Sequence, residues 1–257
     1  MGLEFVNITR EEFLSKKLLH KYMPLEYALD SLNNRHLWFA NPTTWKDPFE
    51  KKFVEAAFTD KTTAKIKFPW NNRVFCICMT QTATSEAYWN TYSRTDIGIA
   101  LKFRRNNLLD LLEKVSRQYN VYIGQVEYMK TSSINKPISQ IPFTPTIAPN
   151  FNDPKFNARL LLLKRNAYKY EDEIRIIIVK DNPTQEQGIY ISYDCQNTDL
   201  IDSITLDPSI GPHTISLLKN VFEKQYHFIP IITSKGTRYR VQRSNLYAKI
   251  KPQTITI

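Results

Sequence analysis

The chain has 257 residues, 42% of them apolar, with 35 Lys and Arg against 25 Asp and Glu, a formal net charge of +10. That length supports one large core or two small ones, and the composition is far from that of a disordered chain. Only 6 glycines are present, and neither G-x-G-x-x-G nor G-x-x-x-x-G-K-[ST] occurs, which argues against a glycine-rich phosphate loop or a doubly wound dinucleotide fold.

Residues 1–14 carry Glu4, Glu11 and Glu12 and lack the apolar run of a signal peptide. No apolar stretch approaches membrane-spanning length. A cytoplasmic protein with no membrane partner is expected. Cys76 and Cys78 alternate within an apolar run, so they should share a strand face as structural thiols, and no metal is expected.

In chain order, the capping-box pattern Thr9-x-x-Glu12 predicts a short helix opening near Arg10. Residues 18–22 read as a strand, and Pro24 then opens a helix with Leu25, Ala28, Leu29 and Leu32 at helical spacing. A strand at 36–40 ends in Asn41-Pro42, and Asp47-Pro48 marks a turn beside Trp45. Further strands are expected at 73–79, 97–103, 121–128, 171–179, 189–193, 200–206, 228–232 and 237–241. Helices are expected at 85–92, 106–118 and 156–166, and after Gly211-Pro212. A flexible proline-rich loop, 131–154, interrupts the pattern. Strands outnumber helices without regular alternation, which predicts an α+β fold with mixed or antiparallel sheets and peripheral helices. One domain, 1–257, is expected, with a motif-bearing part at about 18–210 and a basic C-terminal part at 211–257.

Five groups of residues stand out. His20 and Tyr22 should share one strand face, with Lys21 on the other. Asp47 and Glu50 either fix turns or line a cleft. Tyr88, Trp89 and Tyr92 share a short, otherwise polar helix, as core or as an exposed aromatic surface. Glu171, Glu173 and Arg175 alternate into an apolar strand. There they form either a structural ion network or a carboxylate oriented by a guanidinium, able to stabilise a cationic sugar centre. Arg238, Arg240 and Arg243 lie in the basic C-terminal part, where Arg238 and Arg240 should share a face. That face is either solvated or a surface for nucleic acid.

Three blocks together resemble a bacterial domain family of unknown function, numbered 2971. They are Lys21-Tyr22 through Asp47-Pro48-Phe49-Glu50; Phe75-Cys76 through Trp89-x-x-Tyr92 and Gly98-Ile99-Ala100-Leu101; and Tyr170-Glu171-x-Glu173-x-Arg175-Ile176. The resemblance spans about residues 20–210. Lys46 replaces the family's Asn before Asp-Pro, and Ile174 its Trp. The order of these blocks is more loosely similar to the ADP-ribosyltransferase layout, which would make the fold a split β-sandwich and NAD a co-substrate. The likeness implies ribose binding by His20, with Tyr22 beside it, and nicotinamide packing by Tyr88, Trp89 or Tyr92. Glu173 would be the catalytic carboxylate, supported by Glu171 and oriented by Arg175. It also implies a nucleic-acid or protein acceptor in a phage-defence or toxin setting, with an antitoxin or defence partner. Two alternatives stand beside this reading. One is a non-catalytic nucleotide or nucleic-acid sensing module. The other is a metal-dependent nuclease built on Asp47, Glu50, Glu171 and Glu173.

Overall fold

A computed structural model describes residues 1–55, 57–59, 65–92, 97–143, 150–193 and 200–246. Runs of β-branched and aromatic residues set its strands. Ten of them join one sheet: β1 (Gly2–Val6), β2 (Leu18–Pro24), β3 (His36–Ala40), β4 (Val74–Thr80), β5 (Gly98–Arg104), β6 (Asn120–Gln125), β7 (Glu173–Val179), β8 (Gly188–Ser192), β9 (Ile201–Leu206) and β10 (Val241–Arg243). The order is β1-β6-β7-β4-β2-β5-β9-β10, with β3 attached to β4 and β8 to β3. The outer pairs β1–β6 and β9–β10 are parallel, and the rest are antiparallel. This is the mixed α+β arrangement that the pattern predicts. Among the described residues the sheet shows no barrel or sandwich closure, and no helix is long and apolar enough to cross a membrane.

Both faces of the central strands are covered. Along β7, Ile174, Ile176 and Ile178 enter one apolar cluster, while Ile177 and Val179 enter another. This explains an apolar run with no polar alternation. Helix Arg105–Val115 packs Leu108, Leu109, Leu111 and Leu112 into the first cluster, and Phe156, Leu160 and Leu162 fill the second.

The sheet forks at β4. One edge of β4 pairs along its whole length with β7, from Thr80 opposite Glu173 to Val74 opposite Val179. The other edge meets β2 only at Thr80–His20 and β3 only at Cys76–Ala40. Each of those strands is drawn away by its own second neighbour, β2 by β5 and β3 by β8. Residues 77–79 therefore have no strand partner on that side among the described residues. A cleft opens between the diverging strands.

Several expectations are corrected. Glu171 is not on the strand: it ends the 3-10 helix Asn166–Glu171, and Asp172 follows at φ 42 before β7 begins. The helix expected at 156–166 is Pro154–Leu160, capped by the Asp153 side chain. Leu163–Arg165 is instead a short strand parallel to Glu127–Met129. The loop 131–154 contains helix Thr131–Ile134 and the 3-10 turn Ile138–Gln140, and it buries Ile134, Ile141 and Phe143. Those apolar side chains fasten it to the second core cluster. Beyond residue 228 a hairpin, Ile231–Thr233 with Gly236–Arg238, precedes β10.

Candidate functional site

The fork opens into a cleft of about 770 Å³, a size that suits a small-molecule ligand. Its lining includes His20, Lys21 and Tyr22 from β2, residues 76–80 from β4, and Asp47, Glu50, Lys164, Glu171 and Glu173.

Charge concentrates at the end next to β7. The Lys164 ammonium donates to Glu171 at 2.5 Å and to Glu173 at 3.0 Å, and pairs with Glu50 at 3.1 Å. The short strand Leu163–Arg165 aims it there. Arg175, wholly buried, donates from Nε to Glu173 Oε1 at 2.9 Å, from one terminal nitrogen to the Leu161 carbonyl at 2.5 Å, and from the other to Glu50 at 2.9 Å. Its guanidinium lies 4.4 Å from the centroid of the Trp45 ring. Asp47 pairs with Arg165 at 2.8 Å and accepts from the Phe49 amide at 2.9 Å. Asp47 thus fixes the start of helix Pro48–Glu55, and that helix carries Glu50 inward.

The two central carboxylates diverge in acidity. Burial works against ionisation of Glu173, but Arg175 and then Lys164 outweigh it and bring its pKa down to about 2. Burial also raises Glu171. Lys164 pulls it back only in part, Glu173 and Glu50 repel its charge, and it comes to rest at about 7. Glu173 is 1% exposed with both oxygens engaged, whereas the Glu171 side chain keeps 15% exposure on the cleft wall. Lys21, half-buried on β2, has its pKa lowered by burial and makes no hydrogen bond or ion pair among the described residues. The Cys78 thiol is pushed up to about 12 by burial and by Glu173, which makes it an inert neighbour.

His20 and Tyr22 also reach the cleft. His20 is held neutral, its pKa lowered to about 4 by burial and then by Lys102 and Arg105, and its Nδ1 has no partner among the described residues. Tyr22 stacks on Tyr88 with centroids 4.7 Å apart, and Trp89 packs edge-on to Tyr22 at 4.8 Å. Both phenols are satisfied by main chain, Tyr22 by Ala83 and Tyr88 by Glu171, each at 3.1 Å. Trp89 is buried and is not among the cleft-lining residues. The Tyr92 side chain lies outside the described residues.

An aromatic wall that the motifs did not suggest borders the same cleft. Trp38 on β3 faces Tyr190 on β8, with ring centroids 4.6 Å apart, and His36 lies 4.0 Å from Tyr190. Trp38 is 43% exposed, Tyr190 57% and Tyr27 59%. The signal was present: Leu37, Phe39, Ile189 and Ile191 enter the core, so strand alternation turns Trp38 and Tyr190 the other way. Lys164 was missed because Leu160–Leu163 reads as a helix interior, not as the approach to a strand.

The basic C-terminal part needs a correction. Arg240 is buried and donates to the main-chain oxygens of Asp202 at 2.7 Å and Ile201 at 2.6 Å, so it is no surface cation. Arg238 pairs with Asp202, and Arg243 clasps the Pro208 carbonyl at 2.8 Å. The three clip the last strands to β9 and the turn after it.

Residues 88–176 match the family model DUF2971, a protein family of unknown function. That match supports assigning the chain to this uncharacterised bacterial family. The DUF2971 segment contains Lys164, Glu171, Glu173 and Arg175, while Lys21, Asp47 and Glu50 precede it. No curated protein matches the chain. Among the described residues no group of three or more His, Cys, Asp and Glu is arranged to hold a metal. Glu50, Glu171 and Glu173 instead surround the Lys164 ammonium.

Proposed function

We propose that the cleft binds a nucleotide, NAD above all, and that Glu171 acts at its ribose anomeric carbon. One observation carries this: Glu171 is a carboxylate on the cleft wall, anchored through one oxygen by Lys164, with its pKa raised to about 7. Such a group ionises near neutrality and can serve a developing positive charge. In the step proposed, the C1′–N bond breaks and its electron pair goes to the nicotinamide ring nitrogen. Ionised Glu171 stabilises the resulting oxocarbenium centre. An acceptor hydroxyl, amine or water then bonds to C1′ and gives its proton to Glu171.

In this reading Glu173 exchanges roles with Glu171. It orients Lys164 and Arg175 instead of meeting the sugar. Neutral His20, with Nδ1 unpartnered, suits a ribose hydroxyl. The forked sheet is compatible with the split arrangement of an ADP-ribosyltransferase, and the Trp38–Tyr190 wall suits a stacked base.

A second reading, binding without turnover, is favoured by the mutual stacking of Tyr22 and Tyr88. The rings expected to pack nicotinamide already pack each other.

The two readings separate when NAD is incubated with wild type, Glu171→Gln and Glu173→Gln, measuring released nicotinamide and melting temperature. Release by wild type should fall on the order of a hundredfold or more in Glu171→Gln, without loss of melting temperature. Glu173→Gln should melt lower, because it weakens two buried charged contacts. Equal release from wild type and Glu171→Gln would exclude Glu171. NAD binding with no release from any of the three would leave the binding reading.

A further inference from the structure

We infer that Lys21 is the phosphate-binding residue of the cleft, so that its ligand is a phosphorylated nucleotide and not a nucleoside or free base. The inference rests on reading the cleft as a nucleotide site, but not on any role for Glu171.

The other cations of the cleft wall are fully used. Lys164 meets Glu50, Glu171 and Glu173; Arg175 meets Glu50, Glu173 and the Leu161 carbonyl; Arg165 meets Asp47. Lys21 has no such partner among the described residues, although it lines the same cavity. Its charge is also left over. Glu50 and Glu173 balance Lys164 and Arg175, and Glu171 is only partly ionised at neutrality. An unpaired ammonium in a desolvated cleft is unfavourable for the folded protein. It is understandable where a ligand brings the missing negative charge.

A second observation points to an anion at this place. Lys21 sits on β2 beside the fork, where residues 77–79 of β4 have no strand partner on the cleft side. Main-chain groups on that edge are free to join the ammonium in binding phosphate oxygens. The cleft volume of about 770 Å³ leaves room for a nucleotide. The pKa of Lys21, lowered by burial, should return toward its ordinary value when the anion binds.

The test is calorimetric titration of inorganic pyrophosphate, ADP-ribose and adenosine into wild type and Lys21→Met, with melting temperatures for both proteins. Wild type should bind pyrophosphate and ADP-ribose. Lys21→Met should bind both at least about tenfold more weakly and treat adenosine as wild type does. It should melt a few degrees higher, because an unpaired charge has been removed. A merely structural lysine would instead lower the melting temperature and weaken adenosine as well, and that result overturns the inference. Unchanged pyrophosphate and ADP-ribose affinity in Lys21→Met, or no binding of either by wild type, overturns it too. A wild type that binds pyrophosphate through Lys21 but releases no nicotinamide from NAD would keep this inference and remove the role of Glu171.

Discussion

Arg175 is a guanidinium with no exposed surface, and it is tolerable only because its neighbours match its donors. Glu173, Glu50 and the Leu161 carbonyl accept from it, and the Trp45 ring covers it. Replacing it strands two carboxylates. Arg175→Met should therefore cost about 3–5 kcal/mol in urea unfolding, and a loss under about 1 kcal/mol would show that the network is slack. The pH dependence has a definite sign. The folded pKa of Glu173 lies below its ordinary 4.5, so its contribution is present above that value and is lost as pH falls toward 2. Without Arg175 that loss should begin at higher pH. The alternation Glu171-x-Glu173-x-Arg175 made a charged cluster legible in the sequence. Glu50 was weighed on its own, but its pairing with Arg175 joins residues 125 apart, which no local pattern reveals. Lys164 was hidden by the leucines before it.

At the scale of elements, strand periodicity was the dependable signal. The strands expected at 36–40, 73–79, 97–103 and 200–206 lie within a residue of those observed, because each inserts alternating large side chains into a core. Glu171 was misplaced because the left-handed Asp172 breaks the run between it and β7, and an Asp there carries no distinctive local signature. The β3–β8 pair carries the aromatic wall, and Gly188 sets its geometry. A Cβ at Gly188 would lie 2.1 Å from the Trp38 ring, so the indole rests directly on that backbone. Gly188→Ala should push the ring aside, shift the tryptophan fluorescence and weaken ADP-ribose binding several-fold, with the cooperative unfolding transition retained. Unchanged fluorescence and affinity would mean that Trp38 is not part of the ligand site.

Across the whole molecule, composition announced an α+β protein but not how its charge is spent. A net charge of +10 suggests a basic face, yet Arg240 is buried, and Arg238 and Arg243 are occupied in joining the last strands to the sheet. Charge counts along a chain do not distinguish a surface cation from an internal clip. The fork in the sheet was equally invisible, since it depends on which of two neighbours each strand follows. It nevertheless decides the site, by bringing β2, helix Pro48–Glu55 and β7 around one cavity. The account stands on Glu171 being a carboxylate that ionises near neutrality and acts in its charged form. The pH dependence of nicotinamide release from NAD, followed from about pH 5 to about pH 9, tests this most directly. Release should rise with pH, reach half its maximum near 7 and stay level above, and Glu171→Gln should lose that dependence along with its rate. A wild-type rate that is flat or falls across this range, or no release at any pH, would contradict it.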